Sequence, residues 1–390
     1  MKNVLIIGAG IIGSTIAREL SKYECNIKVV EKANDVACGS TKANSGIVHA
    51  GFDCKPGTVK AKFNVEGCYL YESLSKELDF PYIKNGAFVL AFSEEDKATL
   101  EDLLDRANKN GCKNVSIITG DEVREIEPNV SKEVKYALYA KDSGIVSPYE
   151  MAIAYAENAA SNGVEFIFNT TIEKVVNDNE IYKAYSINGD VFEADVIINC
   201  AGLYSDKINN SINEEKREIV PRKGEYCLLD REYSYITHTT LFQCPTKMGK
   251  GILVAPTCHS NILVGPTALD TLDKENTDTT YLGLKEAWDK ALLSVPTLPR
   301  GGIITQFSGL RAHTSKDDFT LGFDKVNKGF YNCLGIESPG LASSPAISKY
   351  VSKEVADYLN LSLNSLFNPI RKGFTHIRDL TPSELKEVIK

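Results

Sequence analysis

The stretch KNVLIIGAGIIGSTIARELSKYECNIKVVEK, residues 2–32, decides the fold. KNVLIIG is a continuous apolar strand, Ile16, Ala17 and Leu20 then recur at helical spacing, and NIKVVEK is a second strand ending near Glu31. Strand, glycine turn, helix and strand within about thirty residues form a βαβ unit, whose parallel sheet is buried on both faces.

Gly8-Ala9-Gly10-Ile11-Ile12-Gly13 is a G-x-G-x-x-G turn that follows a strand and opens a helix. The first glycine permits the tight turn, the second lets backbone approach a pyrophosphate, and the third lets helix and strand pack closely. Glu31, eighteen residues after the last glycine, is placed to accept hydrogen bonds from a ribose. The reading is a dinucleotide site, with Gly8, Gly10, Ile11, Ile12, Gly13, Glu31 and Lys32 as candidate contacts. An NAD enzyme would normally complete its nucleotide domain in one block. Here the polar, glycine-bearing CGSTKANSG follows almost at once, which favours a flavin dinucleotide.

At 390 residues the chain suggests about two domains. Hydrophobic content of 43% and charged content of 25% are globular values. A net charge of -8 without a basic stripe argues against a nucleic-acid partner, since phosphate backbones call for clustered Lys and Arg. The N-terminal lysine and apolar run could suggest a secretory signal, but glycines at fixed offsets and an unbroken folded pattern oppose it. No run approaches the ~20 apolar residues of a spanning helix. The expectation is a cytoplasmic protein, with peripheral membrane association left open. Ten cysteines form no C-x-x-C pair and no H-E-x-x-H motif occurs, so no metal site or iron-sulfur cluster is signalled.

Further along, the pattern predicts helices over 59–78, 93–109, 147–161 and 280–293, and a last one opened by Ser344-Pro345 and running to 359. GAFVLAF, VEFIFN, TTIEKVV, IYKAYSI, ADVIINC and GFYNCLGI read as strands, and 217–267 is mainly strand with turns. The fold class is α/β, α+β overall: a Rossmann-type dinucleotide domain built from discontinuous segments, plus a β-rich substrate domain with an antiparallel sheet. The expected boundaries are 1–80, 141–217 and 305–365 for the first domain and 81–140 and 218–304 for the second, with 366–390 as a C-terminal tail.

GAGIIG (8–13), STKANSGIVHAGFD (40–53), INCAGLYSD (198–206), RKGEY (222–226), GKGILVAP (249–256), VGPTALD (264–270), SGLRA (308–312) and ESPGLASSPAI (337–347) together carry a resemblance. Over 2–351 the chain resembles the FAD-dependent D-amino-acid oxidase superfamily. Within it the likeness is nearest to flavin-dependent glycerol-3-phosphate oxidases and dehydrogenases, with L-2-hydroxyglutarate dehydrogenases as near relatives. The resemblance implies FAD as cofactor, with Ser40, Thr41, Lys42, Asn44 and Ser45 along its phosphates and ring system. It implies Ile172 at the adenine, Ala201 and Gly202 close to the cofactor, and Gly335, Gly340 and Leu341 bringing backbone to the flavin pyrimidine edge. A helix N-terminus there would stabilise the negative charge of reduced flavin.

The same resemblance gives His49 the role of general base, for which an imidazole of pKa about 6.5 is suited. The small neighbours Ala50 and Gly51 would leave its ring accessible. Arg311 is the candidate bidentate binder of a substrate anion and Lys250 a second point charge. Ser338 either donates to the same anion or sits on the flavin. His238, His259 and His376 have no supporting pattern, His313, two residues after Arg311, is expected only to border the site, and Trp288 reads as core. The expected activity is oxidation of sn-glycerol 3-phosphate, a small anionic substrate, with oxygen, a quinone or a partner protein reoxidising the flavin. L-2-hydroxyglutarate oxidation, an NAD-linked dehydrogenase and a non-catalytic FAD-binding electron-transfer subunit are the alternatives.

Overall fold

The computed structural model describes residues 1–244, 251–374 and 380–389. Its first layer is a six-stranded sheet in the order Thr320–Phe323, Phe330–Leu334, Val196–Asn199, Lys2–Ile7, Cys25–Val30, Glu165–Ile167. All neighbours are parallel except the first pair. Within KNVLII, Val4 and Ile6 enter one apolar cluster and Leu5 and Ile7 another, so alternate side chains are buried on opposite faces. That two-sided burial is why the strand reads as an unbroken apolar run.

The second layer is a nine-stranded, mostly antiparallel sheet formed from residues between 87 and 140 and between 220 and 313. Val220–Leu229 pairs along its length with Ile303–His313, so the expected boundary at 305 falls inside a strand of this sheet. A three-stranded antiparallel sheet spans 172–194, and a small one joins Ile47–Val48, Gly144–Val146 and Tyr82–Ile83. Trp288 is core, beneath the large sheet.

Two helix expectations are corrected. The single helix over 59–78 is two, Val59–Cys68 and Tyr71–Leu78, with the chain turning at residues 69 and 70. Gly67 lies against the backbone of Ala342 and Ser343, so the first helix is held by one packing surface, while Tyr71 heads the second into a cluster with Phe80 and Tyr82. The closing helix begins at Gly340 rather than Ser344 and runs to Leu359 with Pro345 inside it. A proline cannot donate to the carbonyl four residues back. Here that orphaned carbonyl, Leu341 O, accepts from Tyr71 Oη at 2.5 Å and Ser344 Oγ at 2.9 Å, so the helix continues through the proline.

Candidate active site

Between the C-terminal ends of the parallel strands and the face of the antiparallel sheet lies one continuous cavity of about 1200 Å³. Ordinary small-molecule pockets span roughly 300–1,000 Å³. A dinucleotide plus a substrate needs the larger space. Gly8, Gly10, Ile11, Ile12, Glu31, Lys32, Ser40, Thr41, Lys42, Asn44, Ser45, His49, Ile172, Ala201, Gly202, Arg311, Ser338, Gly340 and Leu341 all line it. Gly13 and Gly335 are not on its wall. Gly13 is the packing glycine, where a Cβ would run into the Gly8 carbonyl, and Gly335, at φ 67°, turns the chain after Phe330–Leu334. Lys250, like His376, lies outside the described residues; its neighbour Gly251 lines the cavity.

At the nucleotide end the first helix, Ile11–Leu20, starts at Gly10 without a side-chain cap. Its N-terminus therefore presents backbone N–H groups and the positive end of the helix dipole to the cavity. The Ile11 N–H donates to Thr41 Oγ1 at 3.0 Å, which ties the 40–45 loop to the turn. Glu31 is oriented by two backbone donors, Ala9 N to Oε2 at 2.8 Å and Ala33 N to Oε1 at 2.9 Å. Where side chains would begin at Gly39 and Gly202 there is open space. A glycine turn, an oriented carboxylate and uncluttered walls fit the phosphates and ribose of a dinucleotide.

At the other end, Asn44 folds its own loop, donating to Thr41 O at 2.7 Å and accepting from Gly46 N at 2.8 Å. His49, at the end of Ile47–Val48, is 6% exposed, stacks on Phe242 with centroids 5.4 Å apart, and accepts from Asn64 Nδ2 through its carbonyl at 2.6 Å. The ring thus rests against Phe242, and both border the cavity.

Arg311 reaches the site through a gap in the sheet. Gly224 pairs with Gly309, between the pairs Arg222 with Arg311 and Tyr226 with Phe307. The two glycines leave that stretch of the face bare, and a Cβ at 224 would stand 2.7 Å from Arg311 Nη2. Folded into this gap, the guanidinium donates to Thr267 O at 3.3 and 3.4 Å. Burial pushes the Tyr226 phenol above its ordinary pKa, and the charge of Arg311, with hydrogen bonds to Arg311 and Ser45, draws it partly back. Gly309 has a second duty: a Cβ there would strike the Ala43 carbonyl, so the bare position lets the 40–45 loop lie against the sheet.

A charged rim completes the wall. Lys60 Nζ sits 2.9 Å from Asp317 and 3.1 Å from Glu337, which also meets His313 Nδ1 at 2.9 Å. Burial lowers the Lys60 pKa, but Glu337 and Asp317 outweigh it and leave the ammonium above its usual value. Arg222 pairs with Asp270 at 2.6 Å. In the same RKGEY motif Lys223 and Glu225 are buried; Glu225 accepts from Thr280 N at 3.0 Å, at the N-cap of the helix Tyr281–Ser294, and Lys223 donates to Asp278 O just before it. Sequence reasoning missed Tyr226, Lys60, Glu337 and Asp317 as wall residues. Tyr226 and Glu337 lie inside motifs that carry the resemblance, whereas nothing local distinguishes Lys60 or Asp317 from solvated surface charge. Near the Ser338-Pro339 turn, Gly340 and Leu341 direct the N-terminal end of the closing helix to the cavity.

Residues 3–354 match the family model described as FAD dependent oxidoreductase. The chain belongs to this family of FAD-dependent oxidoreductases. A glycerol 3-phosphate dehydrogenase from Caloramator mitchellensis is 44% identical over 393 residues, covering 100% of this chain and 81% of that protein. A glycerol 3-phosphate oxidase from Mycoplasma genitalium is 31% identical, over 94% of this chain and 96% of its own. Among solved structures, the dithionite-reduced L-alpha-glycerophosphate oxidase from Mycoplasma pneumoniae, with FAD bound, superposes with a TM-score of 0.90 at 29% identity. That match covers 96% of this chain and 99% of the other. This flavoenzyme shows no cluster of metal-ligating side chains and no helix long and apolar enough to cross a membrane among its described residues.

Proposed function

We propose that this flavoenzyme oxidises sn-glycerol 3-phosphate to dihydroxyacetone phosphate. The observation that carries the reading is that an imidazole and a guanidinium, His49 and Arg311, border one cavity with the nucleotide-binding turn. The choice of substrate follows the full-length likeness to proteins named for glycerol 3-phosphate.

In this reading Gly8, Gly10, Ile11, Ile12 and Glu31 hold the nucleotide, with Lys32, Ile172, Ala201 and Gly202 beside it. Ser40, Thr41, Lys42, Asn44 and Ser45 would lie along its phosphates and ring system. Bound FAD supplies the acceptor for the hydride leaving carbon 2 of the substrate. His49 accepts the proton of the hydroxyl on that carbon, so that the carbonyl forms as the C–H bond breaks. Arg311, steadied by Tyr226 and Thr267, grips the phosphate with its planar fork, and Lys250 adds a second positive charge. Ser338 donates a hydrogen bond to the same anion. The N-terminus of the closing helix offers a positive potential where electron density arrives. Oxygen, a quinone or an electron-accepting partner protein would take up the two electrons.

Anaerobic mixing with each candidate substrate tests this. Glycerol 3-phosphate should bleach the flavin absorbance within turnover time and yield dihydroxyacetone phosphate. Bleaching by L-2-hydroxyglutarate alone would replace the reading with that of a hydroxy-acid dehydrogenase.

A further inference from the structure

Residues 271–280 leave the antiparallel sheet after Leu269–Asp270 and rejoin it as the helix Tyr281–Ser294. Both ends of the segment are tied to that sheet. Thr271 N donates to Pro221 O at 2.9 Å, Ser308 Oγ to Thr277 O at 2.7 Å, and Lys223 Nζ to Asp278 O at 2.9 Å. Its middle crosses the cavity to the other layer and makes two polar latches there. Lys274 Nζ meets both carboxylate oxygens of Asp206, at 2.7 and 2.6 Å. Glu275 accepts from the Tyr204 hydroxyl and pairs with Lys32 Nζ at 3.1 Å, while the Lys32 ammonium lies 4.1 Å from the centre of the Tyr204 ring.

Lys274, Glu275 and Thr277 line the cavity together with Glu31, Lys32 and Ile172. The segment therefore lies over the end where the oriented Glu31 carboxylate marks the adenosine. Apolar packing does not hold it down: Leu272, its one large apolar side chain, is 94% exposed. Exposed ion pairs exchange readily with water and are screened by salt. Of the two latches the Lys32–Glu275 pair is exposed in this way, whereas Lys274–Asp206 is mostly shielded from water, so a segment anchored at both ends and held in its middle by these two polar contacts can open without unfolding either sheet.

We propose that residues 271–280 are a clasp over the nucleotide end, and that Lys274 and Glu275 are cofactor-retention residues whose latches set the rate at which FAD leaves. The proposal rests on the family's cofactor and not on the identity of the substrate. Asp206 also accepts from Ile219 N at 3.0 Å, so its carboxylate stays in place when Lys274 lets go.

The test is the rate of FAD loss from purified holoenzyme, followed as the rise of free-flavin fluorescence after dilution at low and high salt. Glu275→Gln should release FAD about threefold faster and the Lys274→Met, Glu275→Gln double variant about tenfold or more, the loss expected when two ion pairs are removed. Salt should accelerate release from the native protein and leave the double variant almost unmoved, a difference that a merely structural role for these residues would not produce. Rates within about 1.5-fold of native in both variants, or equal salt dependence in all three, would overturn the clasp. Glu275 is exposed, so if Lys274→Met does not fold, the Glu275→Gln rate and its salt dependence decide alone. A flavin that glycerol 3-phosphate fails to reduce would sink the substrate reading while leaving these release rates as they are.

Discussion

The two ends of the cavity are built in different ways. At the nucleotide end recognition is mainly backbone: a glycine turn, a helix N-terminus and a carboxylate oriented by the N–H groups of Ala9 and Ala33. At the end proposed for the reaction the wall is side chain, with His49, Tyr226, Phe242, Arg311 and Ser338 brought together from distant parts of the chain. A backbone site tolerates changes of side chain and fails when a Cβ intrudes. A side-chain site fails when one functional group is lost or moved.

Substitutions can break or sharpen that contrast. His49→Ala should produce the largest effect, lowering kcat by about 10²- to 10⁴-fold, the usual worth of a positioned general base, while leaving FAD content intact. Loss of FAD together with activity would mean that the ring supports the nucleotide end instead. Arg311→Met removes a charged, bidentate grip and should raise KM by about ten- to a hundredfold, with a smaller change in kcat. At the nucleotide end, Gly13→Ala drives a Cβ into the Gly8 carbonyl. Overpacking of that kind costs about 1–3 kcal/mol, so the melting temperature and FAD affinity should fall together.

Gly224→Ala is the matching intrusion at the reaction end. It pushes Arg311 out of its gap and should raise KM by about two- to tenfold, with FAD affinity unchanged. Steady-state kinetics beside an FAD titration separates the two glycines. The smallest effect concerns the rim. Lys60 has a folded pKa above its unfolded value of about 10.4, so its contribution to stability is complete below that pH and is lost as pH rises through the folded value. Denaturant titrations from pH 8 to 11 should show a steeper alkaline decline for the native protein than for Lys60→Met.

The difference between the ends also governs how much was legible. The βαβ unit, the cofactor class and a place for His49 on the cavity wall were readable, because each rests on short motifs whose residues are neighbours in the chain. The closing helix was placed four residues late: a serine before a proline is a common helix start. The hydroxyls of the distant Tyr71 and of Ser344, both donating to Leu341 O, show how the helix runs through Pro345. Tyr226 lies within RKGEY, but no local pattern gives it a task, since its meeting with Arg311 follows from the pairing of two strands far apart in sequence. The 271–280 clasp had no signal at all. Its residues are those of any polar loop, and Asp206 and Tyr204 belong to the opposite layer.

Residues 2–32 by themselves determined a dinucleotide-binding fold, because strand periodicity, glycine stereochemistry and the helix dipole act between near neighbours. Tertiary structure alone decided which charges face one another across the cavity. Ion pairs and gaps such as that at Gly224 and Gly309 depend on the register of strands and the approach of two sheets, and the arrangement of those elements is set by burial of the whole core.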